Sequence, residues 1–198
     1  MPLLKEIEKE SYTYADALEW DEGLRAEIID GKVYMMSPPS TFHQSISGRL
    51  FYQLFHFLRD KTCQVFAAPF GVRLFPKDDD SDNTFVEPDI VVVCDASKLD
   101  DRGCNGAPDL VIEILSPSTA SNDGARGMDC GIAKFNNYLK AGVREYWILD
   151  SETRTIQVHI LDQGKYTTTV YEAGEKTEFI PVSVLPGCEI DLQTIFVN

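Results

Sequence analysis

Two short apolar runs that carry carboxylates constrain this chain more than any other feature. One reads Val86-Glu87-Pro88-Asp89-Ile90-Val91-Val92-Val93, the other Pro108-Asp109-Leu110-Val111-Ile112-Glu113-Ile114-Leu115. Apolar, β-branched runs of this length are the pattern of strands covered on both faces. Such strands have no packing use for Asp89 or Glu113, because a buried charge must be paired, protonated or bound to a metal. Strand side chains alternate faces, so Asp109, Val111, Glu113 and Leu115 share one face and Leu110, Ile112 and Ile114 the other. At about 3.3 Å per residue, Asp109 and Glu113 lie roughly 13 Å apart and cannot serve one ion. Asp89 and Glu113 can, provided their strands are neighbours about 4.8 Å apart. A helix carrying Lys134 follows. Two strand carboxylates and a helical lysine are the parts of a hydrolytic site built around a hard divalent cation.

Each of these residues also has a plainer reading. Asp89 suits a strand start after Pro88, and Lys134 suits a solvated helix surface. Glu27, between Ala26 and Ile28 in a hairpin strand, suits an exposed residue paired with Lys32 or Arg25. Asp109 reads as a strand-start or loop-bonding residue. Glu113, between Ile112 and Ile114, is the hardest to explain as structural.

Thr13 and Asp16 resemble a capping box that opens a short helix through about Trp20. Asp30-Gly31 between two short runs is a hairpin signal, since a type I′ turn needs positive φ at both central residues. Thr41 and Gln44 form a second capping box, opening a helix of nearly twenty residues with Ile46, Leu50, Leu54, Phe57 and Leu58 as its buried stripe. On that helix His43, Arg49, His56 and Arg59 read as a solvated face, or as the basic patch of a phosphate-binding surface. Cys63 to Phe75 reads as a strand with an irregular middle around Pro69. Ala120 to Gly131, with three glycines, reads as a mobile loop before a helix from Ala133 to Ala141, with Gly142 as its C′ residue. Three more strands and an apolar C-terminal stretch over the core follow. The order predicts one domain over 1–198 of α/β class, bordering on α+β, with helices on a central sheet.

Composition narrows the function classes. The longest apolar runs fall far short of the ~18 residues that span a bilayer. The N-terminus lacks the apolar stretch of a signal peptide, so the expected compartment is the cytoplasm. Five single cysteines without metal-ligand spacing read as reduced thiols, not a disulfide framework or a zinc site. The net charge of −14, from 32 acidic and 18 basic residues, disfavours a long duplex partner unless a local basic patch offsets it. It favours a divalent cation.

The same residues carry a resemblance. Pro88-Asp89 followed by Glu113, two positions before Leu115, resembles the PD-(D/E)XK nuclease pattern. The chain resembles more closely the Uma-two family of restriction-endonuclease-like proteins. The segments that carry it are Glu27 to Gly31, Met36 to Ser40, Glu87 to Val93, Pro108 to Thr119, Lys134, Tyr138, Ala141 to Trp147 and Pro186-Gly187. It implies a restriction-endonuclease-like core, a central mixed sheet flanked by helices with an N-terminal helix and hairpin and a C-terminal strand extension. It also implies Mg²⁺, with Mn²⁺ able to substitute, on Asp89 and Glu113, and DNA as substrate. The motif's lysine position holds Leu115, which cannot orient water or stabilise charge; the family's displaced lysine corresponds to Lys134, and Glu27 to a further acid near the metal. The stretch from Thr119 to Lys134 is several residues longer than the resemblance leads one to expect.

Three functions are therefore in play: a Mg²⁺-dependent endonuclease, a nuclease-fold module that binds a partner without cutting, and a small-molecule hydrolase. The last ranks lowest for want of a Gly-rich phosphate loop. The endonuclease reading requires a basic rim, for which Arg49, Arg59, Arg73, Arg126 and Lys134 are the candidates. A homodimer through an exposed sheet edge is a further expectation.

Overall fold

Alternation in the two acid-bearing strands sorts their side chains between two cores, and the rest of the fold is built on those faces. The structure is a computed structural model; it describes residues 9–21, 23–115, 124–174 and 179–197, with side chains in the 124–141 helix described from Cys130 onward. Its elements are α1 (Tyr14–Ala17), β1 (Ala26–Ile29), β2 (Lys32–Met35), α2 (Thr41–Leu58), β3 (Gln64–Ala67), β4 (Gly71–Arg73), β5 (Phe85–Val86), β6 (Ile90–Val93), β7 (Leu99–Asp100), β8 (Gly103–Asn105) and β9 (Leu110–Leu115). They continue with α3 (Gly124–Ala141), β10 (Glu145–Asp150), β11 (Thr155–Asp162), β12 (Lys165–Glu172), β13 (Phe179–Pro181), β14 (Glu189–Asp191) and α4 (Leu192–Ile195).

The acid-bearing strands are the interior strands β6 and β9 of a six-stranded mixed sheet ordered β12-β11-β10-β9-β6-β3. β9 runs antiparallel to β6 and parallel to β10. On one face Ile90, Val92, Leu110, Ile112 and Ile114 bury against the stripe Ile46, Leu50, Leu54 and Leu58 of α2 and against the C-terminal segment. On the other, Val91, Val93 and Val111 meet Tyr138 of α3, Tyr146, and residues of a second six-stranded sheet, among them Ile29, Val72 and Val86. That second sheet is ordered β2-β1-β5-β4-β8-β7. The expected mixed α/β architecture is present, and the N-terminal hairpin is part of a full second sheet.

The Asp30-Gly31 turn has φ of 50° and 79°, the left-handed pair that a tight hairpin needs. Asp16 accepts the Thr13 backbone N–H at 2.9 Å, yet α1 stops at Ala17; beyond it the backbone bonds span three residues instead of four, Glu19 N–H to the Asp16 carbonyl and Trp20 N–H to the Ala17 carbonyl. The cap of α2 is Ser40, not Thr41: its Oγ accepts from the His43 backbone N–H at 3.2 Å. Helix α3 begins at Gly124, so Gly124, Gly127 and Gly131 are helical, not loop; the expected loop's first residues, 120–123, lie outside the described residues. Gly142 closes that helix at φ 86°, its N–H bonded to the Tyr138 carbonyl.

The expectation of five reduced thiols does not hold for two of the cysteines. Cys63 and Cys94 form a disulfide. They flank β3 and β6, and the antiparallel register that pairs Gln64 with Val93 sets the two thiols side by side, with Cα atoms 3.9 Å apart. A separation of 31 residues hides that pairing in the sequence. Cys104, Cys130 and Cys188 are free thiols. Among the described residues no helix is long and apolar enough to cross a membrane.

Candidate active site

The β6–β9 register determines which carboxylates meet. Ile90 pairs with Ile112 and Val91 with Val111; continuing by one residue sets Asp89 opposite Glu113 at the end of the ladder, where the Asp89 carboxylate also reaches His43 of α2. The bond from the Ile114 backbone N–H to Asp89 Oδ2, 2.7 Å, closes that end of the ladder through a side chain. Asp109 takes no part. It accepts from the Cys94 backbone N–H at 2.8 Å and from Arg144 at 3.1 Å, the loop-bonding role its position suggests.

From α3, the Lys134 ammonium reaches Glu113 Oε1 at 2.9 Å and Glu27 Oε1 at 2.8 Å. Tyr138, one helical turn on, donates its hydroxyl to Glu113 Oε1 at 2.8 Å. Glu27 is 4% exposed, not a surface residue paired with Lys32 or Arg25; it also accepts the Glu87 backbone N–H at 2.8 Å. Arg25 pairs with the Glu87 side chain at 3.0 Å. Four separate elements, β1, the residue before β6, β9 and α3, thus bring Glu27, Asp89, Glu113 and Lys134 together. Asn137 Nδ2 bonds both Asp30 Oδ2, at 3.1 Å, and the Ala133 carbonyl, which ties the β1–β2 turn to α3 one turn past Lys134.

The model of the Uma2 family, described as a putative restriction endonuclease, matches residues 13–193. The chain belongs to the Uma2 family. It is similar to the uncharacterized protein slr1290 of a Synechocystis species, 28% identical over 166 residues that make up 81% of this chain and 80% of that protein. Its fold is similar to the crystal structure of a putative nuclease belonging to DUF820 from Anabaena variabilis, with a TM-score of 0.70 at 21% identity over 93% of this chain and 97% of that one.

Electrostatics in the Uma2 chain follow from crowding acids in a dry place. Burial pushes the Glu113 carboxyl up to about 7; Lys134 opposes the shift, while Glu27 and Asp89 add to it. Burial pulls Lys134 down, but Glu113 and Glu27 outweigh it and hold the ammonium well above its ordinary range. Burial, reinforced by Glu113 and Glu27, keeps the Tyr138 phenol well above its own range. Tyr138 is thus a hydrogen-bond donor. Three carboxyl groups crowd one ammonium here, and deprotonation of Glu113 leaves negative charge that would suit a hard cation. Mg²⁺ is commonly held by one or two carboxylates and keeps its remaining waters. Asp89 and Glu113 could supply that pair. Among the described residues no group of three or more His, Cys, Asp or Glu side chains is arranged to hold a metal ion by itself, so a cation at Asp89 and Glu113 would keep most of its waters.

Two residues escaped the chemistry read from the sequence. His43, read as part of a solvated or basic face, is 8% exposed, and its Nε2 lies 3.2 Å from Asp89 Oδ2. Burial lowers its pKa but Asp89 and Glu113 more than offset it, so the ring sits above its ordinary value. The role of Tyr138 was equally invisible, although its i+4 spacing from Lys134 on one helix face was available as a signal. Of the expected basic rim, Lys134 is at the site, whereas two of the arginines are engaged elsewhere. Arg49 donates to the carbonyls of Ile195 and Val197, and Arg73 pairs with Asp80 and Asp82. The Arg126 side chain lies outside the described residues.

Proposed function

We propose that this Uma2 chain is a divalent-cation-dependent phosphodiester hydrolase, an endonuclease whose substrate is DNA. The observation that supports it is the convergence of Glu27, Asp89, Glu113 and Lys134 on one partly accessible point, with side-chain exposures of 5, 17, 14 and 11%. Asp89 and Glu113 would hold Mg²⁺ or Mn²⁺. When bound, the cation supplies Lewis acidity, polarising a phosphoryl oxygen and acidifying nearby water. Lys134 provides positive charge where the pentavalent transition state gathers negative charge. Glu27 and Glu113 hold Lys134 in place and keep its ammonium protonated, and Tyr138 fixes Glu113 through its hydroxyl. DNA is assigned by family resemblance, and the acids themselves do not discriminate DNA from RNA. A homodimer paired along β12 belongs to the same reading: that edge strand is mostly exposed, Val170 to 61%, and sedimentation as a monomer would remove it.

The test is nicking of supercoiled plasmid in Mg²⁺ or Mn²⁺, in EDTA, and by Glu113→Ala. Cation-dependent nicking that the substitution abolishes supports the reading; nicking that survives in Glu113→Ala contradicts it. The engagement of Arg49 and Arg73 elsewhere favours a second reading, a nuclease-fold module that binds a partner without cutting. Under that reading Mn²⁺ binds and the plasmid stays supercoiled.

A further inference from the structure

His43 is the polar side chain of this site to which the proposed hydrolysis gives no part. It stands in the first turn of α2, and the Ser40 cap on its backbone N–H fixes that turn. Nε2 faces Asp89 Oδ2 at 3.2 Å, and the Ile114 backbone N–H reaches the same oxygen at 2.7 Å. Nδ1 is buried without a hydrogen-bond partner among the described residues, so the ring's polar contacts are on the Nε2 side, to Asp89 first and then to the Ile114 backbone. An imidazole placed here for packing alone would have no reason to aim its one bonded nitrogen at an acid.

The carboxylate torsion of an aspartate is broad and roughly two-fold, so a single donor leaves its plane free to turn. Two donors rooted in different elements, α2 and β9, remove that freedom. Both bonds land on Oδ2, which leaves Oδ1 as the oxygen available to an incoming ion. We infer that His43 is a positioning residue, which together with the Ile114 amide clamps Oδ2 of Asp89 so that Oδ1 is presented to the divalent cation. This rests on the metal site proposed above. Partners that orient a ligand from behind typically change metal affinity 10–100-fold when removed.

The experiment compares Mn²⁺ dissociation constants, read by electron paramagnetic resonance, for the wild type, His43→Phe and His43→Gln. It also compares the Asp89 rotamer in crystals of each grown without metal. Glutamine can place its amide N–H where Nε2 stands, whereas phenylalanine keeps the ring volume and has no donor. The expected result is affinity lower by roughly tenfold or more in His43→Phe, near-native affinity in His43→Gln, and Asp89 turned or split between rotamers only in His43→Phe. Native affinity and a single Asp89 rotamer in His43→Phe would overturn the inference. So would equal loss in both variants with Asp89 unmoved, which would make the imidazole itself the needed group. If the wild type binds no Mn²⁺, the metal reading and the cation half of this inference fail together, and the rotamer comparison alone decides whether His43 clamps Asp89.

Discussion

At Lys134 one ammonium answers two buried carboxylates, and that ratio makes the residue structural as well as chemical. Lys134→Met would leave Glu27 and Glu113 facing each other without a cation. Removing one partner from a buried ion pair costs about 3–5 kcal/mol, so thermal unfolding in EDTA should drop by several degrees, and saturating Mn²⁺ should restore part of the loss. Glu113 carries its own pH signature. Its carboxyl, held near 7 in the fold against about 4.5 ordinarily, keeps a proton that the unfolded chain has released between those values. The folded state therefore loses relative stability as pH rises from about 4.5 to about 7, by at most about 3 kcal/mol, and the penalty is constant above that window. Melting in chelator from pH 4.5 to 8 should fall more steeply in the wild type than in Glu113→Gln, in which only the raised His43 still adds a decline above about 6.5. Asp89 and Glu113 were legible because each interrupts an apolar strand. The proximity of Glu27 and the placement of Lys134 came through family resemblance, since nothing local to either residue distinguishes it from a surface charge. His43 and Tyr138 were opaque for the same reason: their partners lie 46 and 25 residues away.

The hairpin β1–β2 delivers Glu27, and its turn has no room for a side chain at Gly31. That residue has φ +79°, and a Cβ there would meet Ser11 Oγ at 2.1 Å. Its carbonyl accepts the Tyr12 N–H and its own N–H donates to Asn83, both at 2.8 Å. Gly31→Ala should cost about 1–2 kcal/mol from the left-handed conformation alone, with the Ser11 contact adding to it, and should weaken Mn²⁺ binding by loosening Glu27. Chemical denaturation and a metal titration on the variant check both parts. The turn was readable because its chemistry is local. The start of α3 was not: glycines are poor helix formers, and residues 124–131 are helical against that preference. Tertiary packing of α3, through Tyr138, Asn137 and Lys134, accounts for the helix where propensity does not.

Over the whole molecule, the pairing of β6 with β9 turns two distant motifs into one site, and the pairing of β9 with β10 covers it from the other side. Strand type was evident from composition, but strand order was not, because two apolar runs do not declare which neighbour each will take. The Cys63–Cys94 pairing and the second six-stranded sheet were hidden for the same reason. The charge of −14 sets a further expectation. With that charge, and with Arg49 and Arg73 engaged within the fold, affinity for duplex DNA in EDTA should be weak and fall only shallowly with salt, unlike the steep dependence of a protein that contacts many phosphates. Fluorescence anisotropy over a salt series measures that slope, and a steep one would contradict this expectation by revealing a basic phosphate-binding surface. The central claim is that Asp89 and Glu113 form a working cation site, and calorimetric titration with Mn²⁺ tests it most directly. The account predicts saturable one-site binding that is lost in Glu113→Ala and sharply weakened in Asp89→Asn; no heat of binding in the wild type, or unchanged binding in both variants, would contradict it.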